Sequence, residues 1–238
     1  MSTEEKNQIP SSIKPSSIAM IRTLGGIAMI SGFLVVLVYQ ITLPIITENR
    51  RIALENAVFK VIPDATSRVN FVLSPDTLIR EDAITDDRDV QGEKIYAGYN
   101  KSGQLMGIAL EAAAPGYQDV VRTLYGYSPK CMCIVGITVL QSTETPGLGD
   151  RIETDPEFLA NFNALDARLN TDKTALIHSI ETVRHGTKTA PWQIDAISGA
   201  TVTSKAVGKG LNNSTQTLLP LLVKHLDVLS QSNQGGIK

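Results

Sequence analysis

The longest departure from an even mixture of polar and apolar positions is Leu24 to Ile46, LGGIAMISGFLVVLVYQITLPII. This run carries no charge over about 23 residues, which at about 1.5 Å per residue is enough for a helix to cross a bilayer's hydrocarbon core. It is longer than the apolar core of a signal peptide, and no small-residue cleavage pattern follows it. The pattern therefore predicts an uncleaved transmembrane anchor over 18–46. Lys6, Lys14 and Arg22 precede the run and Arg50 and Arg51 follow it, a small excess that favours the N-terminus inside and the residues from Thr47 onward outside. Pro44 predicts a kink or an end to the span, and Tyr39 an interfacial anchor.

Beyond the anchor the periodicity changes several times. Ile52, Glu55, Ala57, Val58 and Val61 recur at helical spacing and Pro63 closes them, which predicts a helical stalk within 47–92. The acidic run from Asp82 to Asp89 reads as a solvated face or loop. Ile95 to Tyr99, a turn at Asn100 to Gly103 and Gln104 to Ala113 predict a hairpin. Cys131 to Leu140 is rich in β-branched residues and predicts a central strand. Between these, Pro115-Gly116-Tyr117 and Tyr125 to Pro129 read as punctuation in a long connection.

Asp155-Pro156 followed by Phe158, Leu159, Phe162, Leu165 and Leu169 predicts an amphipathic helix over 155–169. Thr174 to Thr182 predicts a strand or buried segment. Ala206, Val207, Leu211 and Leu218 predict a final helix reaching about Leu229, kinked or split at Pro220. The whole pattern is α+β: a flexible cytoplasmic tail (1–17), a single N-terminal transmembrane helix (18–46) and a helical stalk and connection (47–92). One domain of mainly antiparallel sheet with flanking helices (93–230) and a short tail (231–238) complete it.

With 238 residues and a net charge of −2, the chain accommodates one ordinary domain plus the anchor. That balance leaves no basic surface for nucleic acid. His178, His185 and His225 are scattered without a metal-ligand spacing. Cys131 and Cys133 would share one face of an extended strand, and their spacing fits neither a zinc knuckle nor a redox CxxC. They read as two small buried hydrophobes, with a redox-active or cluster-binding pair as the alternative.

Two stretches carry candidate chemistry. Residues 195–204, DAISGATVTS, place a carboxylate, four hydroxyls and small residues before the last predicted helix. Unpaired N–H groups at a helix start suit an anion such as a phosphate, and an N-cap by Thr203 or Ser204 with nothing further satisfies the same pattern. Glu144-Thr145-Pro146-Gly147-Leu148-Gly149 predicts a tight turn that displays a leucine beside a hydroxyl and a carboxylate, suited to one face of a flat ligand.

Together, Thr143 to Asp150 and Asp195-x-x-Ser198-Gly199-Ala200-Thr201 resemble the paired signatures of an FMN-binding domain found in two membrane respiratory complexes. The domain occurs in the G subunit of the Rnf electron transport complex and in the C subunit of the sodium-pumping NADH:quinone reductase. The resemblance spans about residues 20 to 230. Pro44 to Asn49, Ala53-Leu54, Val61 to Pro63 and ETPGLGDRIE are more similar to the Rnf protein.

The resemblance implies covalent FMN in a phosphoester to Thr201, with Ser198, Gly199 and Ala200 as the surrounding turn. It assigns Asp195 to the pattern read by a periplasmic flavin transferase, and Glu144, Thr145, Gly147, Leu148 and Gly149 to the flavin's walls. It further implies an electron-transfer component of an ion-translocating ferredoxin:NAD oxidoreductase, without independent turnover. Such a protein sits in the bacterial inner membrane with its domain in the periplasm, beside the other membrane subunits. The corresponding component of the sodium pump, or a flavin-binding membrane regulator, is the alternative. Two departures stand out: Ser142 and Thr143 occupy the place where many members have His, and the segment from Gly116 to Lys130 is longer than usual.

Overall fold

The computed structural model describes residues 16–84 and 92–231. Of the expected features, the N-terminal tail before Ser16, most of the acidic run (85–89) and the final tail from 232 lie outside the described residues. The chain divides into two units, Met1–Arg51 and Ile52–Lys238.

The first unit lies on helix α1, Ser17–Val61, whose most apolar 18-residue window has mean hydropathy 2.1 and no buried residue. Exposed Ile27, Ile30, Phe33, Val35 and Val38 leave that segment greasy around its circumference, as a lipid-facing helix requires. Two of its hydroxyls are satisfied within the helix: those of Thr23 and Thr42 donate to the carbonyls of Ala19 and Val38. Pro44 does not end the helix: α1 runs through that residue to Val61 and so includes the predicted stalk helix. A proline removes one backbone donor, and the turns on either side keep the rest of the ladder.

The second unit is built on an antiparallel sheet of seven strands: β1 (Ser67–Leu73), β2 (Leu78–Arg80), β3 (Glu93–Tyr99), β4 (Leu105–Pro115), β5 (Val120–Ser128), β6 (Cys133–Gln141) and β7 (Leu165–Asp166), in the order β2-β1-β3-β4-β5-β6-β7. The predicted hairpin is β3–β4, pairing Ile95 with Leu110 and Tyr96 with Ala109. The Asn100 side chain accepts from the amides of Ser102 and Gln104 to close its turn, where Gly103 takes φ 75°. β1 and β2 belong to this sheet, so it begins at Ser67, ahead of the hairpin.

Two expectations about strands are corrected. The connection between the hairpin and Cys131 contains strand β5, one of the most buried in the sheet. Gly126 suggests a turn, but the glycine serves a close approach: a Cβ there would run into the Val61 carbonyl oxygen. The Cys131 stretch is also not central. β6 meets β7 only at Cys133 and Ile134, which leaves it at the edge of the sheet along most of its length.

The two faces of the sheet are covered differently. On one, Val58, Val61 and Ile62 pack with Tyr96, Ala109 and Leu124. On the other, Leu110, Tyr125 and Ile137 join Phe158, Phe162, Val207, Leu211 and Leu219 in the main core. The covering elements are α2 (Pro156–Ala160), α3 (Thr201–Lys224) and α4 (Leu226–Gln231), with the short parallel pair β8 (Glu181–Val183) and β9 (Gln193–Asp195) beside α3. Of the strand or buried segment expected around Thr174 to Thr182, only Glu181 and Thr182 enter a strand, β8, while Leu176 forms an isolated bridge with Leu169 and most of the stretch is exposed. A 3-10 turn, Gly149–Glu153, precedes α2.

The helix predicted over 155–169 is only Pro156–Ala160, capped as expected by Asp155, whose side chain accepts from the amides of Glu157 and Phe158. Phe158, Phe162 and Leu165 are still buried, but Asn161, Asn163 and Asp166 are weak helix formers. Leu165 instead pairs with Ile134 as part of β7. Pro220 does not split the last helix either. α3 continues to Lys224, and the break falls at His225.

The cysteines depart furthest from the expected pair of buried thiols. Cys131 and Cys133 form a disulfide, with Cys131 exposed in the β5–β6 turn and Cys133 buried at the start of β6. Met132 between them has φ 53°, which shortens their Cα separation to 5.2 Å, inside the range a disulfide spans.

Candidate functional site

Two loops meet at the start of α3, and both are built on the same turn. In Thr145-Pro146-Gly147-Leu148, the Leu148 amide donates to the Thr145 carbonyl (3.1 Å) and Gly147 has φ 75°. In Ile197-Ser198-Gly199-Ala200, the Ala200 amide donates to the Ile197 carbonyl (3.1 Å) and Gly199 has φ 86°. A positive φ at the third turn position selects glycine, which accounts for both residues by backbone geometry. The turns face each other: a Cβ on Gly199 would stand 3.8 Å from Leu148 Cδ2.

Between them lies an open cavity of about 440 Å³, lined by Glu144, Thr145, Leu148, Gly149, Gly199, Ala200 and Thr201 from the two motifs. Tyr117, Val202 and Thr203 complete the lining. Tyr117, Leu148 and Val202 are 71, 50 and 53 % exposed, so the rim is apolar and accessible. Thr201 is the first residue of α3, exposed at the cavity wall. No side chain caps this helix at Ala200, and the first-turn N–H groups of a helix have no backbone partner of their own.

Glu144 ties the site together from beneath. It is buried, and its Oε1 accepts from the amides of Tyr117 (2.8 Å) and Gln118 (3.1 Å). Its Oε2 accepts from the Thr203 hydroxyl at 2.5 Å. Burial pushes the carboxyl's pKa up, but the hydroxyl of Thr203 and the amides of Gln118 and Tyr117 outweigh it and hold the group below its usual range. Two glycines make room for this carboxylate: a Cβ on Gly116 would collide with Oε1, and one on Gly149 would lie 2.9 Å from Oε2.

Thr203 and Ser204 do not cap the helix. Thr203 is turned to Glu144, while Ser204 is fully buried, accepting from the Ile197 amide (3.1 Å) and donating to the Ala200 carbonyl (2.9 Å). Thr201 thus stands exposed at the cavity while its neighbours' hydroxyls are engaged.

Asp195 and Ser198 lie on the other side of the second loop. They line a separate cavity of about 110 Å³ with Arg151, Asp155 and His185. Both carboxylate oxygens of Asp195 accept from the Gly186 amide, at 2.8 and 3.0 Å. The buried Asn161 side chain brackets the Asp195 backbone, accepting from its N–H (3.0 Å) and donating to its C=O (3.2 Å). Arg151 reaches the Ser198 carbonyl at 3.5 Å and pairs with Asp155. Gly147 is not among the lining residues of either cavity. Tyr117, Val202 and Asn161 belong to these surroundings without having stood out in the sequence. Tyr117 reads there as loop punctuation, Val202 as one more helix residue, and an isolated Asn carries no signal until its partners are known.

Residues 116–216 match the FMN-binding domain family. A protein from Shewanella piezotolerans, the G subunit of an ion-translocating oxidoreductase complex, is 31 % identical over 189 residues, covering 77 % of this chain and 80 % of that protein. The chain belongs to the family of G subunits of ion-translocating oxidoreductase complexes.

A more distant relative is the G subunit of the proton-translocating ferredoxin:NAD(+) oxidoreductase complex of Clostridium ljungdahlii, 24 % identical over 84 % of this chain and 91 % of that one. Among solved structures, NqrC of Shewanella oneidensis is similar with TM-score 0.52 at 17 % identity, covering 72 % of this chain and 86 % of that one. The C subunit of the Parabacteroides distasonis Na(+)-translocating NADH-quinone reductase is similar at TM-score 0.51 and 22 % identity, over 66 % and 78 % of the two chains. The FMN-binding domain and the family make the cofactor FMN and the setting a membrane complex of several subunits. With the two reductase structures the chain shares its fold.

The cavity suits such a group. Its mouth is wide and apolar, Gly199 and Ala200 present no bulk toward Thr201, and an uncapped helix start supplies N–H donors for an anion.

Proposed function

We propose that this chain is a membrane-anchored electron carrier of an Rnf-type ferredoxin:NAD oxidoreductase, with FMN joined to Thr201 by a phosphoester. The observation that carries this reading is the placement of Thr201 at the uncapped start of α3, inside the cavity that the two motifs share. FMN supplies the redox chemistry, and the protein supplies placement and electrostatics.

Thr201 Oγ1 bonds to the phosphorus of a phosphoanhydride of FMN. The anhydride P–O bond breaks, the leaving phosphate takes its electron pair, and the hydroxyl proton is lost, so the chain ends heavier by FMN minus water. The free amides at the helix start would hold the phosphate, and the macrodipole would favour its charge. Leu148 offers an apolar contact for a flat ring, and Thr145 and Tyr117 flank it. The carboxylate of Glu144 is held by three donors, and it fixes the floor of the site by tying the Tyr117 loop to the first turn of α3.

Attachment needs a flavin transferase, for which Asp195 and the turn Ser198 to Ala200 form the recognition segment. The hold of Asn161 and Gly186 on Asp195 keeps that segment in one conformation, which supports this role. A single span with the domain in the periplasm is supported by the apolar length of α1 and the excess of Lys and Arg before its apolar run.

Co-expression with a periplasmic flavin transferase is expected to yield a fluorescent band in a denaturing gel and an intact mass raised by FMN minus water. Thr201→Ala abolishes both. A fluorescent band of equal intensity from Thr201→Ala would refute the attachment site.

A further inference from the structure

The disulfide between Cys131 and Cys133 has no part in the flavin site, and its surroundings do not suit a structural brace. The cross-link skips one residue, so it removes little freedom from the unfolded chain, whereas disulfide stabilisation grows with the length of the closed loop. The β5–β6 ladder already fixes the same place, pairing Ser128 with Cys133 and Tyr127 with Ile134. On the other side of β6, Cys133 pairs with Asp166, and the Ala167 amide donates to the Met132 carbonyl (3.1 Å).

The cross-link spans Met132, which has φ 53° at the end of a four-residue hairpin loop, Pro129 to Met132. Glycine or asparagine takes that conformation without much cost, and methionine does not. Opening the bond removes the covalent constraint across Met132 and leaves the hairpin ladder and the Ala167 amide in place. Cys131 and Met132 are exposed at the hairpin tip, and Met132 is 44 % accessible, while Cys133 is 6 % accessible within the strand. Lys130, also exposed, places a cation next to Cys131, which favours approach of a thiolate.

We propose that the Cys131–Cys133 pair is a thiol–disulfide exchange site, taking a dithiol of the thioredoxin class as its reductant. The reductant's thiolate attacks Sγ of Cys131, the accessible sulfur, and the S–S bond breaks with its electron pair going to Cys133. The reductant's second thiolate then attacks its own sulfur in the mixed disulfide and releases Cys131. Two electrons pass from the reductant to the pair, the reductant leaves as a disulfide, and the two released thiolates become thiols with the protons the reductant gave up. The hairpin tip is then free to relax, while the ladder from Ile134 onward keeps the sheet in register.

The exchange is independent of the flavin reading, and its test reads sulfur chemistry only. Full-length protein in detergent micelles is equilibrated with mixtures of reduced and oxidised glutathione, quenched with acid, alkylated and analysed by peptide mass. The expected result is full interconversion of disulfide and dithiol with circular dichroism unchanged. With glutathione disulfide added to the reduced protein, the mixed disulfide appears on Cys131 before Cys133. Met132→Asn is expected to shift the exchange equilibrium about threefold toward the disulfide, because asparagine tolerates the left-handed conformation. A bond that opens only after denaturant unfolds the domain would overturn the proposal, as would free thiols that never pair in excess glutathione disulfide. An unchanged equilibrium in Met132→Asn would overturn the part assigned to Met132.

Discussion

The Thr203 hydroxyl donates to Oε2 of Glu144 across 2.5 Å, joining residues 59 positions apart. Through this contact the loop leaving β6 is fastened to the first turn of α3. The same carboxylate gathers the amides of Tyr117 and Gln118 with its other oxygen, so three segments of the cavity wall depend on one buried charge.

Glu144→Ala is therefore expected to leave buried donors unpaired and to destabilise the domain by about 2–3 kcal/mol, since hydrogen bonds to a charged group are worth more than neutral ones. In a domain of this size the thermal midpoint falls by roughly 5–10 °C, measurable by calorimetry. The folded pKa of Glu144 lies below its ordinary 4.5, so its contribution is present above pH 4.5 and disappears as the pH falls through the folded value. Glu144→Gln should flatten that acid limb of the stability profile; an unaltered limb would show that other carboxylates carry it.

Gly126→Ala tests the approach of Val61 to the sheet. The added methyl meets a backbone oxygen, which cannot rotate away as a side chain does. A loss of about 3 kcal/mol is expected in chemical denaturation. Little change would mean that the end of α1 is free to move off β5.

Asn161→Ala removes the bracket around Asp195 and also releases Lys188, whose ammonium donates to Asn161 Oδ1 at 2.9 Å. A destabilisation of about 2 kcal/mol is expected from the buried groups left unpaired. If the Asp195 segment is the one proposed for transferase recognition, flavin incorporation during co-expression falls further than stability accounts for. Equal incorporation per folded molecule would argue against that role for the bracket.

Leu148→Ala separates cofactor contact from folding. The side chain is half exposed, so the stability change should stay within about 1 kcal/mol. The visible absorption and fluorescence yield of the bound flavin should nonetheless change, since the proposed apolar contact to its ring is removed. Spectra that superimpose on the parent's would remove Leu148 from the flavin's surroundings.

Much of the site is legible in the sequence because turn chemistry is local. Pro146-Gly147 and Ser198-Gly199 announce positive-φ turns, and Asp155-Pro156 announces a helix start, from a few residues each. The differences share a cause as well. β5 is hidden because Gly126 and its tyrosines look like loop residues, and only the carbonyl of Val61 above the strand explains the glycine. The apolar spacing after Phe158 fits a helix, yet Leu165 finds a better partner in Ile134, a contact no local pattern can display. The cysteine pair needs the backbone of Met132, since two residues apart in a strand do not approach closely enough to bond.

Short-range patterns mark the apolar anchor helix, the β3–β4 hairpin and the hydroxyl-rich start of α3, because hydrophobic run length, alternation and turn residues act over short stretches. Tertiary structure decided which hydroxyl stands open. Thr203 is taken by Glu144, and Ser204 by Ile197 and Ala200, while Thr201 lines the cavity with Leu148. That choice depends on a carboxylate arriving from another loop, with burial enforcing its pairing, and such a meeting exists only once the chain has folded.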